Sequence, residues 1–395
     1  MAPRSKVINL PSLRSTRGKK SSDTPESEQL WVEKQKLGGV DASFLLLVVL
    51  LLLFGLVMMY SSSYAAGTAQ MGDAMFFIKK QAQFAGIGLA CMVGTIFIPL
   101  KFYQKFALPI LVVGFLGLVA VLFIGRSVGG AQRWIFIGPI NFQPSEIAKL
   151  SLVIFMAAYI ASMKSKMQNL VYGVLIPLGI LALFAGLMLL EPHLSGTVIM
   201  AATVAIMIFI GGAKVSHTIV PAAIGGGGLA LFAILTGYAK DRLDMFLNPW
   251  IDPRGKGYQI IQSLYAIGSG GFLGLGLGQS RQKYSYIPEP YNDFVFSIIA
   301  EEIGFVGVLL LIALFCALIF RGFQIAWRVK KHFSSLLVIG IMCNVAVQIL
   351  LNIAVVSKLV PVTGISLPFF SAGGSSLIIL LVEMGIVLSV SRHMQ

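Results

Sequence analysis

The sequence predicts an all-α polytopic membrane protein, a bundle of ten transmembrane helices with a large extracytoplasmic loop. Three observations carry this prediction. Apolar residues make up 57% of the 395 and charged residues only 12%, about half the charge that a surface facing water requires. Apolar runs long enough to cross a bilayer, about 20 residues, recur from Phe44 onward. The basic residues fall preferentially after every second run, which is the signature of an oriented membrane protein.

Residues 1–42 come first. They are polar and contain Ser and Pro, and the first forty carry eight Lys or Arg against four acids. Without apolar periodicity such a segment reads as a disordered cytoplasmic tail. The run that follows, from Phe44 to about Tyr60, is too long for a signal-peptide core and has no small-residue cleavage pattern, so it is an uncleaved first span. The membrane domain occupies 43–392, with spans predicted at 44–62, 82–100, 106–125, 146–163, 170–190, 195–212, 217–237, 294–320, 334–356 and 368–391. An even number of spans puts both termini on one side. That side gathers Lys101, Lys105, Lys164, Lys166, Lys214, Arg321, Arg328, Lys330 and Lys331 in short loops, and with the tail and Arg392 it holds eighteen cations. The excess makes it the cytoplasmic side.

The opposite face receives loops 63–81, 126–145, 191–194, 238–293 and 357–367. A connection of more than fifty residues without a span is unusual enough to imply function. Within it, YQIIQSLYAIGSGGFLGLGLG is apolar but broken by six glycines. Neither side of the break can cross a membrane, so re-entrant or interfacial half-helices are expected.

The composition also excludes function classes. A net charge of +14 could suit nucleic acid, but the 30 Lys and Arg are dispersed between apolar runs and build no basic reading surface. Cys91, Cys316 and Cys343 lie inside apolar runs, where packing explains them. With four scattered His and neither HExxH nor CxxC, a protein-built zinc site has no support. The GSGGFLGLGLG stretch follows no strand and lacks a GK[ST] ending, so it is no nucleotide loop.

Acids number only 16, and their positions are informative. Glu146, Glu191, Asp241, Asp244, Asp252, Glu289, Asp293, Glu301 and Glu302 cluster at the outer ends of spans or in outer loops, while Glu383 lies within the last span. Charge at membrane depth is costly and usually faces a cavity or pathway. The same face carries Arg133, Lys149, Arg242 and Lys283, cations where the positive-inside rule prefers few. An anionic ligand, most simply a phosphate-bearing lipid, accounts for them, although a single Lys can also snorkel beside headgroups. Glu146 and Lys149 are three apart on one helix face and can pair. For Asp293, which precedes the span beginning near Phe294, catalysis and helix capping are both open on the residues alone.

Four motifs in order, QRWIFIGPINFQPSEIAKL, EPHLSGT, the stretch from RLDMFLNPWIDPRGKGYQ through QKYSYIPEPYNDFVFSIIAEEIGFVG, and PVTGISLPFFSAGGSSL, give the chain its resemblance to the FtsW/RodA/SpoVE (SEDS) family of bacterial cell-wall synthesis. The likeness runs from about residue 44 to 392, and NPWIDP and QKYSYIPEP resemble the division and sporulation branch. The resemblance implies a peptidoglycan glycosyltransferase that polymerises lipid II into glycan strands at the outer face of the bacterial cytoplasmic membrane, for septal division or sporulation. It implies a class B penicillin-binding protein as partner, with other division or elongation proteins, and location at the septum. Asp293 then stands at the family's essential carboxylate. Where the family usually has PE-x-HTDF this chain has PEPYNDF, so Tyr291 and Asn292 replace His and Thr. His193 in EPHLSGT stands where an acid is common, and it could titrate near neutral pH or simply pack.

The chemistry suits that assignment. An acceptor sugar hydroxyl attacks the anomeric carbon of a donor whose leaving group is a lipid diphosphate, so a base and cations are needed. Asp293 would be the base, and Arg133, Arg242 and Lys283 would hold the diphosphate. A divalent cation, Mg or Mn, would assist, with Asp293 as its candidate ligand; no organic cofactor is expected. Trp134, Glu146, Lys149, Glu191 and Glu289 would shape the cavity. Two other functions fit ten spans with buried charge: a flippase that transports lipid II, and a non-catalytic scaffold that activates a penicillin-binding protein.

Overall fold

The computed structural model describes residues 38–128, 131–137, 140–217, 227–228, 238–255, 257–284 and 287–394. The expected tail, up to residue 37, and nearly all of the expected span 217–237 lie outside the described residues. The membrane domain is built from α1 (Ala42–Met71), α2 (Phe76–Phe97), the short α3 (Leu100–Lys105), α4 (Ala107–Ile124), α5 (Pro144–Ser162), α6 (Ile176–Leu190), α7 (Leu194–Ile210), α8 (Tyr238–Leu247), α9 (Tyr258–Ser269), α10 (Val295–Arg328), α11 (His332–Val356) and α12 (Gly374–Ser391). A π-helical turn, Val171–Leu175, leads directly into α6. Among the described residues seven helices are long and apolar enough to span, counting Val171–Leu190 as one. Of the other expected spans, α2 is 22 residues long but carries Lys79, Lys80 and Gln81 within its first two turns, and α7 has only 17 residues.

Most boundaries fall near the expected ones, although α2 begins at Phe76 rather than 82 and α10 runs to Arg328 rather than 320; three other differences bear on the site. The first helix continues to Met71 rather than ending at 62: it runs through Gly67 without a break and stops only where Gly72 adopts a left-handed φ of 66°. The last helix begins at Gly374 rather than 368. Residues 368–373 instead form a buried turn in which the Ser371 hydroxyl accepts from Leu367 N at 2.7 Å and donates to Asn292 O at 2.8 Å. Gly55 of α1 makes room for that turn, since any Cβ there would overlap the carbonyl of Phe369.

The third difference is a sheet in an otherwise helical chain. Residues expected as loop 126–145 form β1 (Arg126–Val128), β2 (Ala131–Ile137) and β3 (Ile140–Phe142), antiparallel in the order β1-β2-β3. Trp134 pairs with Arg126 and Ile135 with Phe142. Gln132 anchors the sheet at the end of α4 by donating to Gly125 O at 2.9 Å, with Leu122 O at 3.3 Å and Val121 O at 3.2 Å, the last shared with Gly125 N.

In the long loop, α8 and α9 are the α-helices, with a 3₁₀ turn at Pro249–Ile251 between them; of the expected half-helices only α9 forms, and the glycine-rich remainder is not helical among the described residues. Gly271, Gly274, Gly276 and Gly278 all have positive φ. This stretch docks on a break in α10, where Gly304 has φ 65° and ψ −171°. The break frees backbone groups that the loop then satisfies: Leu275 N and Gly276 N donate to Glu301 O and Glu302 O at 3.0 Å, and Phe305 N donates to Gly271 O at 2.9 Å. The glycines are thus required by a backbone-to-backbone approach.

The most enclosed spans are α5, α11 and α12. Along α11 the amides Asn344, Gln348 and Asn352 recur every four residues, one polar stripe on a helix that is otherwise apolar after Ser335.

Candidate active site

The sheet, the long loop and the segment before α12 surround a cavity of about 730 Å³. Its lining includes Arg133, Trp134, Glu146, Lys149, Arg242, Glu289 and Asp293, seven of the residues expected from the sequence. These come from β2, α5, α8 and the loop before α10, so only the fold brings them together.

The α5 wall starts with Pro144 in its first turn, followed by Glu146, where a helix N-terminus favours negative charge. Lys149 lies one turn on, with Nζ 3.0 Å from Glu146 Oε1. The same Nζ donates to Gln348 Oε1 at 3.0 Å. Lys149 is only 3% exposed, and these two partners are what make a buried ammonium tolerable.

Residues 362–366 form a strap across the cavity, held by four side chains from three helices, α7, α8 and α11. Arg242 donates to Val362 O at 2.7 Å, Ser195 to Thr363 O, Asn352 to Ile365 O at 2.6 Å and Gln348 to Ser366 O at 3.0 Å. Asn352 also donates to Asp293 O at 2.9 Å. With Ser371 on Asn292 O and Ala372 N on Tyr291 O, both 2.8 Å, three consecutive carbonyls are pinned.

The Asp293 backbone is therefore fixed while its side chain is not engaged locally. The N-cap of α10 is Phe294, and no side chain caps it. Among the described residues no hydrogen bond is made to the Asp293 carboxylate. Burial pushes this carboxyl up to about 6, with Arg133 and Arg242 pulling it down and Glu289 pushing it up. A carboxyl with that value is ionised at neutral pH yet basic enough to accept a proton.

The two departures around it have visible roles. The Tyr291 ring lies 4.4 Å from that of Phe77 on α2, and Asn292 donates to Glu289 Oε2 at 2.7 Å.

Two expected residues are not brought to the cavity. Glu191, at the C-cap of α6, is buried beside it, and burial pushes its carboxyl up to about 8 against the pull of Arg133. Lys283 is directed into the protein under the glycine-rich loop. Its Nζ is 3.0 Å from Glu302 Oε1, 3.3 Å from the Ser61 hydroxyl and 2.6 Å from Gly278 O. Desolvated and paired, it serves the loop rather than the cavity.

The cavity also contains residues to which sequence reasoning assigned no role there: Lys80, Gln81, Gln259, Gln348 and the strap, whose residues lie in the motif PVTGISLPFFSAGGSSL. Lys80 was detectable as a cation on the disfavoured face, and Gln348 through its four-residue spacing from Asn344 and Asn352. The course of the strap had no local signal. Among the described residues no three His, Cys, Asp or Glu are grouped to hold a metal.

Comparison with known proteins shows what the whole chain is similar to. A model of the cell cycle protein family FtsW/RodA/SpoVE matches residues 41–395. The stage V sporulation protein E of Bacillus subtilis (strain 168) is 39% identical over 355 residues, 89% of this chain and 97% of that one. A probable peptidoglycan glycosyltransferase FtsW of Trichlorobacter lovleyi is 38% identical over 362 residues, 91% and 95% of the two chains. Among solved structures, a chain from work on the structural coordination of polymerization and crosslinking by a peptidoglycan synthase complex superposes with a TM-score of 0.73 at 30% identity, covering 92% of this chain and 98% of that chain. The rod shape determining protein RodA of Thermus thermophilus gives 0.65 at 28% identity, with the same coverage.

Proposed function

The chain belongs to the FtsW/RodA/SpoVE family, and from that premise we propose how its cavity performs cell-wall synthesis. It is a multi-pass membrane protein and a peptidoglycan glycosyltransferase of septal or sporulation wall synthesis. The substrate is lipid II. The acceptor hydroxyl gives its proton to Asp293 as its oxygen attacks the donor's anomeric carbon, and the lipid diphosphate leaves on the opposite side. Exchange of an α-linked donor for a β-linked product in one displacement inverts the centre without a covalent enzyme intermediate. Arg133 and Arg242 hold the departing charge, and Lys149, fixed by Glu146 and Gln348, adds to the positive potential.

The observation that carries this reading is the Asp293 side chain, which caps no helix and lies at the wall of a cavity lined by cations. The residues suit a divalent cation, Mg or Mn, only as an ion shared with substrate, because one carboxylate with Glu289 nearby is the usual protein share of such sites. When bound it would neutralise diphosphate charge. The protein acts with a class B penicillin-binding protein, as the peptidoglycan synthase complex among its structural relatives suggests. Both termini are cytoplasmic and the protein works at the division septum.

The test is Asp293→Asn in purified protein supplied with its partner and labelled lipid II. The amide keeps the shape and removes the basicity, and polymerisation should fall by about 10² to 10⁴ while partner binding persists. A flippase or an activating scaffold would tolerate the change, so glycan strands made at the parental rate would refute the reading.

A further inference from the structure

The N-terminus of α7 opens on the same cavity, and the general-base reading makes no use of it. Ser195 and Gly196, both in the first turn, line the cavity with His193, the residue at the N-cap. The first-turn N–H groups of any α-helix lack intrahelical acceptors and carry the positive end of its dipole. No side chain caps α7. His193 itself is 6% exposed, and its Nδ1 is buried without a hydrogen-bond partner.

The ring packs against Gly196, where a Cβ would come within 2.8 Å of Nδ1 and Cε1. The Nδ1–Cε1 edge therefore lies over the first turn, and Nε2, the neighbour of Cε1 on a ring that lines the cavity, makes no hydrogen bond among the described residues. Burial, with Arg133 and Lys149 nearby, keeps the ring neutral. A buried lone pair without a partner is less costly than a buried N–H without one, so the proton belongs on Nε2. That nitrogen then donates into the cavity.

We propose that His193 Nε2, the first-turn N–H groups of α7 and Arg133 form a binding subsite for the diphosphate of a lipid-linked substrate. Helix N-termini bind phosphate groups for the electrostatic reasons just given. The charged groups around the subsite support an anion. Arg133 reaches in from β2, its Nη2 donating to Pro192 O, and Lys149 from α5. Arg242 and Lys80 lie elsewhere on the lining. Glu191, two residues away, is held largely protonated by burial and adds little repulsion near neutral pH. Glu146 is paired with Lys149. Asp293 and Glu289 come from the loop before α10. The proposal rests on the glycosyltransferase reading of the cavity and specifies where the leaving group sits.

The experiment is binding of farnesyl diphosphate, with inorganic pyrophosphate and farnesol as separate probes, to the full chain in detergent. The shared diphosphate requirement shows in both charged probes, and the prenyl chain makes the lipid-linked one the tighter. A Gln amide reaches the place of Nε2, whereas an Asn amide reaches only that of Nδ1. His193→Asn should weaken both charged probes by about tenfold or more, and His193→Gln should stay within about threefold of the parent. Farnesol should be unaffected by either. Parental affinity in His193→Asn, or equal loss for farnesol, overturns the subsite and leaves the cavity reading intact. A parent protein that binds neither diphosphate overturns both.

Discussion

Oδ2 of Asp293 faces the α-carbon of Gly364 so closely that a methyl group there would come within 3.2 Å of it. Gly364 also has φ 70°, a conformation only glycine adopts without strain. The strap thus leaves a defined gap beside the carboxylate. Gly364→Ala should lower polymerisation by about tenfold or more through misplacement of the base or of substrate. Backbone strain should cost only about 1–2 kcal/mol of stability. Turnover and thermal unfolding in detergent measure the two effects, and a parental turnover would show that the gap is not used.

The pH profile follows from the same carboxylate. Asp293 acts as a base only when ionised, so kcat/KM should fall as pH drops through about 6. Arg133 favours the ionised form, and its removal should raise the carboxyl's pKa. The acid limb of Arg133→Gln should therefore move to higher pH, alongside any loss of substrate affinity. A limb that stays in place or moves down would show that Arg133 does not act on Asp293.

These residues also show what the sequence could reveal. Apolar length and Lys/Arg asymmetry marked the spans because the bilayer imposes both directly. The pair Glu146 and Lys149 was legible because a helix fixes the relation of residues three apart. Lys283 was misread because its partners, Glu302 and Ser61, come from α10 and α1. The segment 362–366 was legible as part of a motif but its course across the cavity was not, because four side chains distant in sequence define it. The sheet was missed because its strands are short, two of them only three residues long.

The break in α10 gives a prediction about the backbone. At Gly304 any Cβ would overlap Gly274 N, and at Gly274 any Cβ would overlap Glu302 O, with φ positive at both. Gly304→Ala or Gly274→Ala should therefore separate the glycine-rich loop from α10 and expose at least three backbone groups now hydrogen-bonded there. Loss of about 3 kcal/mol or more is expected, whereas Gly276→Ala, whose Cβ would meet only Gln279 Cγ at 3.6 Å, should cost mainly its φ. Protease sensitivity of the loop reports the separation. Equal resistance in Gly304→Ala and the parent would mean that the backbone seal contributes little.

The buried pair Lys283 and Glu302 separates a structural cation from a substrate-binding one. Both side chains are at most 3% exposed, with Nζ and Oε1 3.0 Å apart. Glu302 also accepts from the Ser61 hydroxyl at 2.6 Å and from Ser280 N at 3.3 Å. Removing only the cation leaves a buried carboxylate uncompensated, so Lys283→Met should destabilise by about 3–5 kcal/mol. Adding Glu302→Gln removes the stranded charge but keeps acceptors for Ser61 and Ser280, and the double variant should recover much of that loss. Because the ammonium is turned away from the cavity, the double variant should also polymerise lipid II near the parental rate. If it regains stability yet remains inactive, Lys283 reaches the substrate during turnover, and the diphosphate role expected from the sequence is restored.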